Sequence, residues 1–263
     1  MMAIPGELVF LEYLAVIFMG VVFGSFASAL IYRIPRDLPW FYYKKGGQTQ
    51  ACRSACPHCN HTLAVRDLIP VLSWAMLRGK CRHCHAKISI MYPLAELTCV
   101  AGFLAVYSGF GLAWPFLALY LLVPVLVALI FIDAEHYILP DELVMGVGLL
   151  GLLHWGLYWM MSFVNAGHVF DFVVIGGAGF GLFAWILGIV VGKVLKKEVL
   201  GFGDVKLFAA IGMWLGLAKL SYFAILSGAL GIVFGLAWRL AGKGAAFPFG
   251  PALILAFFVL LFI

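Results

Sequence analysis

Charge is what this sequence has least of. Only 11% of its 263 residues are Asp, Glu, Lys or Arg, against about 25% in soluble domains, while 65% are hydrophobic. With a mean hydropathy of +1.08, that deficit excludes an ordinary soluble domain. Other absences narrow the class further. The apolar runs lack the period-two alternation of barrel strands, which excludes a β-barrel. No basic n-region and no small-residue cleavage site accompany the first apolar run, so it reads as a retained span and not a removable signal. No Gly-x-Gly-x-x-Gly follows a strand-like run, and no internal repeat of the transporter kind is visible.

What is present is a series of apolar runs of about 20 residues, enough to cross a hydrocarbon core as helices. Eight are expected, at 8–31, 93–110, 112–132, 142–163, 172–192, 205–218, 220–238 and 245–263, the sixth being the shortest. The fold class is therefore an all-α polytopic membrane protein. Loop 33–92 holds ten of the seventeen Lys and Arg residues, and Lys193, Lys196, Lys197, Lys206, Arg239 and Lys243 fall in breaks on the same side. Only Lys219 falls opposite. By the positive-inside rule this places both termini outside and loop 33–92 in the cytoplasm. The net charge of +5 thus reads as a topology signal with some attraction for anionic lipid, and not as a nucleic-acid footprint. Three segments result: a first span at 1–32, a cytoplasmic domain at 33–92 and a membrane core at 93–263.

About 60 residues build a stable core poorly without a staple. Loop 33–92 supplies one as CPHC at 56–59 and CRHC at 81–84. Paired C-x2-C knuckles about 20 residues apart are the pattern of a four-thiolate zinc site, and cytoplasmic conditions disfavour disulfides. Cys56, Cys59, Cys81 and Cys84 are the expected ligands of a structural Zn2+, with His58, His61, His83 and His85 as exposed knuckle residues. Cys52 has the wrong spacing, and Cys99 lies inside a span as a small apolar residue.

Acidic residues number twelve, and their placement is informative. Asp133, Glu135, Asp141 and Glu142 follow the third apolar run in FIDAEHYILPDE, and Asp204 opens another in GFGDVK. On the expected topology all reach the membrane from the cytoplasmic side, where Asp133 and Asp204 could approach each other. Two adjacent carboxylates, one ionised and one protonated, are what aspartic proteolysis needs. Taken singly, Asp204 also suits a helix N-cap and Asp133 a solvated helix end. Glu12, Glu96 and His154 are further candidates because ionisable groups within spans are costly. A cation transporter or channel with a zinc-knuckle domain is the alternative.

The ordered set GSFASALIYRIP (24–35), RSACPHC (53–59), DLIPVLSWAMLRGKCRHC (67–84), YPLAEL (92–97), FIDAEHYILPD (131–141), GFGDVKL (201–207) and PFGP (248–251) resembles the type IV prepilin peptidases of bacteria. These are membrane aspartic proteases of the GxGD type. The resemblance implies Asp133 and Asp204 as the catalytic pair, with Asp141, Gly201, Gly203 and Lys206 in support and the four knuckle cysteines on zinc. It also implies a bacterial inner-membrane location. Cleavage would remove the basic leader of type IV prepilins or type II secretion pseudopilins at the cytoplasmic face, followed by N-methylation with S-adenosylmethionine. Ser28 and Leu200 depart from the residues common in that family, Asn and Met.

Overall fold

The computed structural model describes residues 6–39, 42–45, 48–51, 54–196, 200–244 and 246–263; Cys52 and Lys197 lie outside these. The protein is a multi-pass membrane protein. Its chain divides into two compact units, Met1–Leu112 and Ala113–Ile263.

In the first unit, helix α1 (Gly6–Arg33) runs along α3 (Met91–Phe110). Their backbones approach closely because Gly20 and Gly24 carry no side chain. A methyl group on either would come within 2.9 Å of the Cα of Val100 or Glu96. Both acidic residues expected to be special are used structurally here. Glu12 accepts a 2.6 Å hydrogen bond from the Tyr107 hydroxyl, and Glu96 accepts one of 2.7 Å from the Val71 N–H. Cys99 is fully buried among apolar groups, as expected.

Between those helices lie a short helix α2 (Leu72–Met76) and a two-stranded antiparallel hairpin, β1 (Tyr42–Lys45) and β2 (Gln48–Ala51). Apart from this hairpin the described elements are helical, as expected. So short a polar segment cannot bury a helical face, and strand pairing satisfies its backbone locally.

The second unit contains α4 (Leu117–His136), α5 (Asp141–Met160) and α6 (Ala166–Phe170), which passes through a π-helical turn at Asp171–Gly176 into α7 (Gly177–Leu195). Helices α8 (Phe202–Leu215), α9 (Leu220–Leu240) and α10 (Gly250–Leu260) complete it. The most buried of the long helices is α4, packed against α5 and α10. Helix α8 rests on α5, α7 and α10.

Among the described residues six helices are long and apolar enough to cross a membrane, against the eight spans expected. The remaining two are α8 and α10, of 14 and 11 residues, which span about 21 and about 16 Å against a hydrocarbon core of about 30 Å. Glycines bound α8, with Gly201 extended at its start and Gly216 at φ +68° at its end. Helix α10 buries most of its length. Its apolar character serves the protein interior, a role that hydropathy alone does not distinguish from lipid exposure.

Two reciprocal indole contacts fix α8 on α5. Trp214 Nε1 donates to the Val147 carbonyl and Trp155 Nε1 to the Met213 carbonyl, each at 2.9 Å. Trp214 fits because Gly151 leaves room, a methyl there coming within 2.9 Å of the indole nitrogen. His154 sits in the same aromatic cluster, stacked on Trp214 and close to Tyr158. That histidine belongs to the packing of α5 against α8.

Candidate active site and metal centre

Helix α4 ends where Tyr137 turns left-handed (φ +58°) and donates its N–H to the Asp133 carbonyl. Asp133 thus sits in the last helical turn, with only 6% of its surface exposed. A carboxylate so buried needs a hydrogen-bond donor. The donor is the backbone N–H of Gly250, 2.8 Å from Asp133 Oδ2, at the start of α10. Pro251 follows and suits the first helical turn, where no N–H is required. Glycine is dictated at 250, since a Cβ would lie 2.7 Å from Asp133 Oδ2.

The segment that delivers Gly250 is itself seated on α9. The Phe249 ring fills the space left by Gly231, and the Phe247 ring that left by Gly235; added Cβ atoms would meet those rings at 2.6 and 3.1 Å. Gly228, on the same helix, has nothing within 4 Å.

Asp204 is not the N-cap of α8. Gly201 takes that position, and Asp204 stands at the third helical residue, where its Oδ2 accepts from the Gly201 N–H at 3.1 Å. This is the returning half of a capping box, with glycine in place of the usual hydroxyl residue. Leu139 lies against the helix starts that hold Asp133 and Asp204: methyl groups on Gly203 and Gly250 would lie 3.2 and 3.1 Å from its side chain. Among the described residues each carboxylate uses Oδ2 for a backbone donor and leaves Oδ1 without a partner.

Asp141 begins α5, and both its carboxylate oxygens accept from Lys206 Nζ, at 2.7 and 2.8 Å. Lys206 also lies over the Phe202 ring. Both partners are substantially exposed, so the bridge contributes little stability; its effect is to join the first turns of α5 and α8. Glu135, on the neighbouring face of α4, is exposed.

In the first unit the Sγ atoms of Cys56, Cys59, Cys81 and Cys84 all lie within 4.8 Å of one another. Two knuckles of one design create this cluster. Cys56 N–H donates to the His61 carbonyl and Asn60 N–H to the Cys56 carbonyl; Cys81 to Ala86 and His85 to Cys81 repeat the pattern. Asn60 and His85 are left-handed at matching positions (φ +54° and +57°).

Cys56 and Cys84 sulfurs are 3.8 Å apart, too far for a disulfide at about 2.05 Å and close to the edge of a tetrahedron with ligands at about 2.3 Å. Backbone N–H groups of Cys84 and His83 pull the Cys81 thiol down to about 7. The four residues could therefore hold one tetrahedral ion, closed to water. Arg82 fastens the second knuckle to Asp67 at 2.8 Å and, through that hydrogen bond, holds the Asp67 carboxyl below its ordinary range. All four knuckle histidines are exposed, with the His61 and His83 rings in contact at a 34° tilt.

Residues 120–236 match the profile of the type IV leader peptidase family, and residues 18–110 that of the bacterial Peptidase A24 N-terminal domain. The type 4 prepilin-like proteins leader peptide-processing enzyme of Escherichia coli O78:H11 is 37% identical over 90% of this chain and 88% of its own. This chain belongs to the type IV leader peptidase family. Prepilin leader peptidase/N-methyltransferases of Aeromonas hydrophila (37% identity; 93% of this chain, 88% of theirs) and Pseudomonas aeruginosa (33%; 92% and 87%) are similar over comparable lengths. Among solved structures there is no significant match. In this leader peptidase Gly250, within the PFGP motif, lies outside both matched ranges.

Two outcomes are expected. Changing any one of Cys56, Cys59, Cys81 or Cys84 to Ser lowers bound metal and makes loop 33–92 sensitive to protease, because metal binding is folding energy for so small a domain. Cys52→Ser leaves the stoichiometry intact; metal analysis of the purified variants decides. Gly250→Ala lowers peptidase turnover about 100-fold and Gly231→Ala at least about 10-fold, while Gly228→Ala stays within about twofold, as displacements of an ångström at a reacting group produce. Equal rates for the Gly231 and Gly228 variants would contradict the seating of Phe249.

Proposed function

We propose that this leader peptidase removes the basic leader of type IV prepilins or type II secretion pseudopilins at the cytoplasmic face of the bacterial inner membrane, using Asp133 and Asp204. The observation that carries the reading is the burial of Asp133 on the Gly250 amide, with Leu139 packed against both Gly250 and Gly203, the neighbour of Asp204. In this reading the two carboxylates meet at the scissile bond and share one proton, since both cannot ionise at close range. As a coupled pair they titrate together.

The chemistry then follows from the free Oδ1 atoms. One carboxylate takes a proton from water as the oxygen attacks the scissile carbonyl carbon, and the other gives its proton to the carbonyl oxygen. Collapse of the tetrahedral diol breaks the C–N bond, and the leaving nitrogen takes a proton from the pair. The Gly250 and Gly201 amides hold each Oδ2 still, so that neither carboxylate must reorganise during the reaction. Asp141 and Lys206 keep the first turn of α8, with Asp204, in place. The printed names of the relatives support leader processing as the reaction. A cation transporter is not favoured, for the pair sits at helix ends and not at mid-span.

We assign Zn2+ to the four knuckle cysteines as a structural ion that folds the 33–92 domain. Methyl transfer to the new N-terminus with S-adenosylmethionine belongs to the same reading. It demands alignment, an uncharged amine and exclusion of water, which differ from the demands of hydrolysis. The methyl site is therefore separable from the carboxylate pair.

Asp133→Asn and Asp204→Asn should each reduce prepilin cleavage at least about 1,000-fold without loss of membrane insertion, because an amide cannot cycle the proton. Glu135→Gln should retain activity. Near wild-type cleavage by well-folded Asp133 and Asp204 variants would remove the pair from the mechanism. For the second reaction, the double variant Asp133→Asn Asp204→Asn is expected to methylate an already cleaved pilin with a free N-terminal Phe at close to the wild-type rate. Complete loss of methyl incorporation in the folded double variant would assign the carboxylates to both reactions.

A further inference from the structure

The turn between the two parts of the DAEHYILPD segment contains main-chain groups that the fold leaves uncommitted. Tyr137 spends its N–H on the Asp133 carbonyl. Pro140 has no N–H, and its carbonyl accepts from Leu143 and Val144 as α5 begins. Between them, the N–H groups of Ile138 and Leu139 meet no hydrogen-bond partner among the described residues. The stretch is neither helix nor turn from 138 to 140, and Pro140 is extended (φ −61°, ψ 132°).

Its position is the second observation. The Leu139 side chain lies against both Gly203, next to Asp204, and Gly250, which holds Asp133. Ile138 points outward, 46% exposed. The segment before Gly250 is already committed through the Phe247 and Phe249 rings to α9. Unpaired main-chain groups at such a helix end are satisfied by water or by a partner. Backbone groups left open beside the reacting carboxylates are suited to another chain's backbone.

We propose that Ile138–Leu139 is the substrate-binding edge: the peptide on one side of the scissile bond lies extended along it and exchanges main-chain hydrogen bonds with it, as in β-strand addition. This rests on the peptidase reading above. An extended residue directs its N–H and C=O to the same edge, so a two-residue stretch offers one donor and acceptor on the side facing the carboxylates. A single substrate residue beside the scissile bond is therefore the one recognised. Recognition is through backbone, which leaves side chains at that residue free to vary, and the extended form exposes the scissile carbonyl to both carboxylates.

The experiment uses the full-length enzyme and a synthetic peptide containing a basic leader, a Gly-Phe junction and the first apolar residues of the mature chain. The scissile amide is kept, and the two flanking amides on each side are replaced by esters one at a time, which deletes one N–H with little change in shape. One position is expected to lose about 10-fold in kcat/KM, the scale of a single hydrogen bond, with the other three within about twofold. If the all-amide peptide is cleaved and every ester analogue is cleaved equally well, the binding edge is wrong and the peptidase reading stands. If the all-amide peptide is not cleaved by the folded enzyme, both fall.

Discussion

Placing a carboxylate inside a bundle of apolar helices is the constraint from which the second unit is built. Asp133 gives up water on nearly all sides, and a buried ionisable group persists only with a donor to hold it. The Gly250 amide is that donor. Meeting it requires a glycine at 250, a proline to start α10 without an unused N–H, and a segment before it that cannot wander. The rings of Phe247 and Phe249 in the gaps at Gly235 and Gly231 supply the last condition. Helix α9 therefore sets the position of the amide that holds Asp133.

The second carboxylate is placed by different means. Helix α8 is held on α5 by two indole-to-carbonyl bonds at one end and by the Asp141–Lys206 pair at the other. Its own cap turns the Asp204 carboxylate back onto Gly201. Both catalytic candidates thus have one oxygen bound to a backbone N–H and one left open, an arrangement that favours proton exchange over metal chelation. The cysteine cluster solves a separate problem. A domain with few buried side chains other than Cys56 and Cys81 cannot hold two knuckles together by apolar contact alone, and four thiolates on one ion can.

Much of this was legible in the sequence because the signals are local. Knuckle spacing identified the cysteine cluster, and the ordered motifs pointed to Asp133 and Asp204. The contact between Gly250 and Asp133 was not legible, since 117 residues separate the partners and a glycine carries no chemical signature. Asp204 read as a possible N-cap because capping and capping-box carboxylates stand at the same kind of helix start; only the fold distinguishes position zero from position three. Helices α8 and α10 are too short to be identified as spans by length alone, and burial in protein and burial in lipid select the same residues. The hairpin at 42–51 escaped because its strands are four residues each, too short for a clear period.

The account stands on Asp133 and Asp204 facing one reacting bond, and proximity in the membrane tests it most directly. Cysteines in place of both aspartates, with Cys99 changed to Ala, can be treated in native membranes with the shortest bis-methanethiosulfonate reagent and analysed by mass spectrometry after proteolysis. We expect an intramolecular link between positions 133 and 204. Separate modification of both cysteines with no link between them would contradict the paired carboxylates and the mechanism built on them.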